Sequence, residues 1–112
     1  MSDTDDLREI ALSLPETSER AAWGMPTFRV KDKIFASINP RHGVGVKISR
    51  EERAELVAAE PEKFFWTSHD ENYDMMRLHL EAIGVDELRE LLTDAWCATA
   101  PKPIRTKYDG II

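Results

Sequence analysis

The chain has 112 residues, 42% hydrophobic and 32% charged, enough for one core without disulfides or metal. Acidic side chains outnumber basic ones 21 to 15, so the net charge of −6 argues against a committed nucleic-acid binder, which is strongly basic. Cys97 stands alone, excluding an internal disulfide or a cysteine-paired zinc site, and no apolar run reaches the roughly 20 residues of a membrane span.

The opening MSDTDDLREI is acidic and amphipathic, the opposite of a secretory leader, and implies a cytoplasmic protein. Residues 3–14 read as a helix, because Leu7, Ile10, Ala11 and Leu14 fall at i, i+3, i+4 and i+7. Asp3, Asp5 and Asp6 suit its first turn, and Pro15 stops it. PETSERAAWGMP then reads as a linker. Phe28 and Val30 alternate with polar residues, Lys31-Asp32 turns the chain, and Ile34, Ala36 and Ile38 alternate with Lys33, Phe35 and Ser37. After the NPRHG turn, Val44, Val46 and Ile48 complete a meander with one buried and one polar face. Ser49 and Glu52 fit a capping box opening a helix of about ten residues before Pro61. KFFWT reads as a short strand, SHDENYD as a loop, and Leu78, Leu80 and Ala82 as the apolar row of another strand. The last helix spans about 86–99, with Leu88, Leu91, Leu92, Ala95 and Thr99 on one stripe. The predicted architecture is α+β, order α-β-β-β-α-β-β-α, an antiparallel sheet with helices on one face. A single domain covers 1–103, followed by a tail, 104–112.

Charge is segregated along this order. Residues 20–50 carry seven Lys and Arg against Asp32 alone, whereas 1–19 and 51–96 are acidic. Strand alternation sends Arg29, Lys31, Lys33, Phe35, Lys47 and Arg77 to the face opposite the core. One reading is a solvated sheet surface. The other is a surface for DNA or another polyanion, with the cations on phosphates and Phe35 stacked on a base. Lys102, Arg105 and Lys107 would add a mobile cationic tail. A further alternative is a small-molecule or protein-partner module whose contact surface lies around Trp23 and Tyr73. His42, His69 and His79 share no metal-ligand spacing, and Gly43 and Gly45 lack the pattern of a phosphate loop. With no acid–base pair or nucleophile in evidence, the expectation is a protein without enzymatic activity, cofactor, metal or membrane contact. No pattern specifies an oligomeric state.

GMPTFRVKDKIFASI, KISREERAELVAAEPEKFF and VDELRELLTDAWCATAPK together resemble the MmcQ/YjbR family over about residues 5–103. The most specific parts are the Gly24-x-Pro26 turn, the helix leading to Pro61 and Phe64, and the closing L-x-E-L-L-x-D-A-W with APK. In NYDMMRLHL the chain keeps Tyr73 of the family's Y-P-W-like run but has neither its Pro nor its Trp. The resemblance implies a fold similar to the CyaY/frataxin group, a DNA-binding label given on structural grounds, and no enzymatic activity. By fold analogy it also points to a divalent-cation ridge on Asp3, Asp5, Asp6 and Glu9, for which helix-start chemistry is the simpler account.

Overall fold

Asp3 opens the first helix, α1 (Thr4–Ser13), by reciprocal capping: its side chain accepts from the Asp6 N–H, and the Asp6 carboxylate accepts from the Asp3 N–H. That local chemistry accounts for these two acids without a metal. Leu7, Ile10 and Ala11 turn inward as their spacing predicts, and Leu14 is buried just beyond the helix. The structure is a computed structural model and describes residues 1–107.

The expected linker is in fact a strand, β1 (Thr17–Ala22), joined to β2 (Met25–Val30) by a two-residue turn at Trp23-Gly24. Both turn residues have positive φ, 52° and 77°, and so do Lys31 and Asp32, which link β2 to β3 (Lys33–Asn39). This is the pattern of type I′ hairpin turns, whose twist matches that of paired strands. Gly43, at φ 89°, opens β4 (Gly43–Lys47). Helix α2 (Arg50–Ala59) follows, its first turn capped by the Ser49 hydroxyl accepting from the Glu52 N–H. KFFWT contributes a two-residue strand, β5 (Phe64–Phe65), and the next strand, β6 (Met75–Leu78), is shorter than its apolar alternation implied. Leu80–Ala82 forms a 3-10 turn instead of strand, with the Ile83 N–H bonded to the Leu80 carbonyl. Helix α3 (Val85–Thr99) buries Leu88, Leu92, Ala95, Trp96 and Thr99.

Among the described residues, six strands form one antiparallel sheet in the order β1-β2-β3-β4-β6-β5. Phe28, Ala36, Val46 and Met76 lie in register across it and face α1 and α3. The Trp96 ring is fully buried, and its indole N–H donates to the Pro15 carbonyl at 2.9 Å. Where a free tail was expected, residues 102–107 form α4 (Lys102–Lys107), with Ile104 buried in the core. The side chain of Lys107 and residues 108–112 lie outside the described residues.

One irregularity overturns the predicted face of β3. Phe28 pairs with Ala36 but Arg29 pairs with Ile34, so Phe35 is the extra residue of a β-bulge. Both Phe35 and Ala36 then reach the core, and Ile34 swings to the opposite face. The bulge exchanges burial of Ile34 for burial of Phe35, two side chains each worth about 1.5–3 kcal/mol when fully buried, so the net gain is only their difference. Phe35 is therefore a core residue and is not available to stack on a base.

Candidate ligand-binding groove

The face turned away from α1 and α3 begins with a row of paired residues, Thr27, Ser37, Gly45 and Arg77. Gly45 is the seat for Arg77: a Cβ there would lie 2.9 Å from its Nη1. Arg77 was expected to reach solvent and phosphate, but it is buried and its donors are committed. Its Nε and Nη2 donate to the two Asp70 carboxylate oxygens at 3.0 and 2.7 Å, and Nη1 donates to the Gly43 carbonyl at 3.0 Å. Asp70, itself buried, also accepts from the Thr67 N–H and hydroxyl, each at 3.1 Å. Burial alone would raise the Asp70 carboxyl, but the Arg77 and Thr67 hydrogen bonds, with the Arg77 charge, hold it below the ordinary carboxylate value.

A second arginine ties the same loop from the other side. Arg53 of α2 is buried, and its Nη1 donates to the Asp70, Tyr73 and Met75 carbonyls at 2.9–3.0 Å. Its guanidinium also lies 4.5 Å from the centre of the Trp66 ring. Residues 66–75 are thus fixed by two buried arginines, and this wall of the site is pre-organised. The sequence does not single out Arg53, and it offers Asp70 only beside His69 and Glu71 as a loop cluster whose adjacent side chains rarely converge on a cation. The signal for Arg53 was there: with Leu56 and Val57 it occupies i, i+3 and i+4, the inward stripe of α2.

Between this loop and the β1–β2 turn lies a groove of about 640 Å³. Met25, Ile34 and Met75 give it apolar walls, and Trp23 and Tyr73 stand on its lining while remaining 84% and 63% exposed. The loop side also carries His69, its ring stacked on His42 with centroids 5.0 Å apart. A second depression, of about 470 Å³, adjoins the first along Trp23, Ile34 and Lys47 and adds Arg29 and Lys33.

Of the predicted basic surface, the fold therefore gathers Arg29, Lys33 and Lys47 around one hollow beside Trp23. Lys31 stays exposed in its hairpin turn, outside the linings of both hollows. Arg105 is half-buried on α4 and donates to the Cys97 carbonyl at 3.0 Å, so it is a structural tie and not part of a mobile tail. Lys102 is exposed on the same helix. The described residues include no group of three or more His, Cys, Asp or Glu placed to hold a metal ion. No described helix is long and apolar enough to cross a membrane.

The YjbR family model matches residues 12–98, which spans the meander, the groove loop and most of α3. The chain belongs to the YjbR family. Uncharacterized proteins of Mycobacterium tuberculosis and Mycobacterium bovis are each 35% identical to it over 121 residues, covering 93% of this chain and 93% of their own. A crystal structure of Deinococcus radiodurans protein DR2400, of family-model domain DUF419, matches with a TM-score of 0.77. That likeness spans 97% of this chain and 89% of the other at 21% identity, and it shows a shared fold. In this YjbR chain, 12–98 takes in the groove walls, the loop ties and all of the cationic hollow but Thr99.

Proposed function

We propose that the chain is a cytoplasmic, non-enzymatic binding module that takes a small molecule in the groove on the open face of its sheet. The observation that carries this is Trp23. A left-handed backbone is unfavourable for a bulky residue, and solvent exposure of a whole indole is unfavourable too. Trp23 combines both, at φ 52° and 84% exposed, at the edge of an apolar groove of small-ligand size. A bound ring covering the indole would recover the exposed area.

A thermal-shift screen of small molecules against the wild-type chain and Trp23→Ala tests this. A ligand at 100 times its Kd stabilises by about 2.7 kcal/mol. At roughly 4–8 °C per kcal/mol, that raises Tm by about 10 °C or more. The expected result is a shift that the variant loses; a hit that shifts both chains equally would place the ligand elsewhere.

A second reading, single-stranded nucleic acid, is favoured by the gathering of Arg29, Lys33 and Lys47 around an exposed tryptophan. Trp23 would take the stacking role first expected of Phe35. Fluorescence anisotropy with labelled single- and double-stranded oligonucleotides over a salt series decides it. Affinity tighter than about 10⁻⁶ M near physiological salt supports nucleic acid, and no binding at low salt removes it.

A further inference from the structure

The two hollows differ in chemistry, and the charges around them are unequally satisfied. Three carboxylates line them, and each already has an arginine. Asp70 is bridged by Arg77 at 2.7 Å, Asp74 by Arg50 at 3.3 Å and Asp32 by Arg20 at 2.9 Å. The cations of the smaller hollow are left over. Among the described residues, Lys33 and Lys47 have no carboxylate within ion-pair distance. The Arg29 guanidinium meets neutral acceptors, donating Nε to the Thr27 hydroxyl at 3.1 Å and Nη1 to the Asp32 carbonyl at 3.5 Å. Ala98 and Thr99 complete the lining from the C-terminal end of α3, where the helix dipole contributes about half a negative charge. Three full positive charges outweigh it. In a chain with six more acids than bases, this concentration of unmatched cations sits against the apolar, aromatic groove.

We infer that the ligand of the groove is a small planar aromatic anion. Its ring lies against Trp23 among the methionine and isoleucine side chains, and its carboxylate, phosphate or sulfonate reaches the hollow of Arg29, Lys33 and Lys47. This rests on the groove reading given above and adds the charge and the shape of the ligand. The two unbranched thioethers of Met25 and Met75 suit a flat ring, since methionine adapts its shape and makes favourable contacts with aromatic edges. Lys47, lining both hollows, stands where the apolar and charged parts of such a molecule would meet.

Three probes separate the contributions: 1-naphthyl phosphate, uncharged 1-naphthol and inorganic phosphate. Calorimetry is run on the full chain, on the Lys33→Gln/Lys47→Gln double variant and on Trp23→Ala, with urea unfolding to show that each is folded. The expected result is that 1-naphthyl phosphate binds wild type at least tenfold more tightly than either other probe. The lysine variant should lose that tenfold preference for 1-naphthyl phosphate over 1-naphthol, and Trp23→Ala should weaken both aromatic probes. Equal affinity for 1-naphthol and 1-naphthyl phosphate, still lost in Trp23→Ala, overturns the anion while the groove reading stands. Binding of inorganic phosphate as tight as that of 1-naphthyl phosphate overturns the role of the ring. Failure of every probe overturns the inference alone if the screen has found a Trp23-dependent ligand of other chemistry, and overturns the groove reading too if it has not. Binding confined to oligonucleotides overturns it in favour of nucleic acid.

Discussion

Asp70 and Arg77 are 1% and 2% exposed, and each satisfies the other with two hydrogen bonds of good length. A buried pair of this kind adds little over an apolar replacement, but removing one partner leaves a charge stranded, at a cost of about 3–5 kcal/mol. Asp70→Asn is therefore expected to lower stability in urea by about that amount, and Asp70→Asn with Arg77→Met to recover part of it. The pH dependence has a definite sign. The folded Asp70 carboxyl titrates below its unfolded value, which is about 3.9. Its contribution is complete above the unfolded value and is lost as pH falls through the lower folded one. Unfolding midpoints measured down the acid limb should fall less steeply in Asp70→Asn than in wild type. Parallel curves would mean that the pair does not set acid stability.

At the scale of elements, the β1–β2 hairpin sets stability against binding. A type I′ turn favours Asn-Gly, and this chain places Trp23 before Gly24. Trp23→Asn relieves a left-handed tryptophan, so we expect the variant to gain about 1 kcal/mol in urea unfolding and to lose its ligand-induced Tm shift. A variant that is both more stable and still ligand-responsive would remove Trp23 from the site. This hairpin also marks the limit of what could be read beforehand. The meander, α1 and α3 were legible because each buries one stripe, which imposes alternation or a 3.6-residue period on the apolar residues. Strand β1 buries neither face, its residues being exposed or half-buried throughout, so TSERAA carries no period and read as a linker. The reversal of Ile34 and Phe35 depends on a bulge, which leaves no mark when both residues are apolar. Alternation placed Arg29 and Lys47 on the open face, where they pair with Ile34 and Met75, but the same bulge leaves Lys33 paired with the core residue Val30, on the α3 side of the sheet. Arg77 escaped because its partner, Asp70, lies in a loop whose path over the sheet is set by Arg53, a tertiary contact with only an ambiguous local trace.

For the molecule as a whole, the net charge of −6 opposes any anion, and the question is over what distance. Two of the four acids of α3, the exposed pair farther from its C-terminal end, give a measure of it. At 1.5 Å per residue, exposed Glu90 and Asp86 stand about 12 and 18 Å along the helix from Ala98, at the cationic hollow. In water a unit charge at about 15 Å acts on each ligand charge with about 0.3 kcal/mol before screening. The Debye length is about 8 Å at 0.15 M salt and about 30 Å at 0.01 M, so these acids are felt only in dilute salt. Asp86→Asn/Glu90→Gln brings the net charge from −6 to −4 without touching the hollow. Affinity for 1-naphthyl phosphate is expected to change by less than about 1.5-fold at 0.15 M and to rise about two- to fivefold at 0.01 M. Calorimetry at the two salt concentrations measures both. An equal rise at both would mean that the anion responds to the field of the whole molecule; the expected divergence means that three unmatched cations, at contact range, govern the site in a protein that is otherwise acidic.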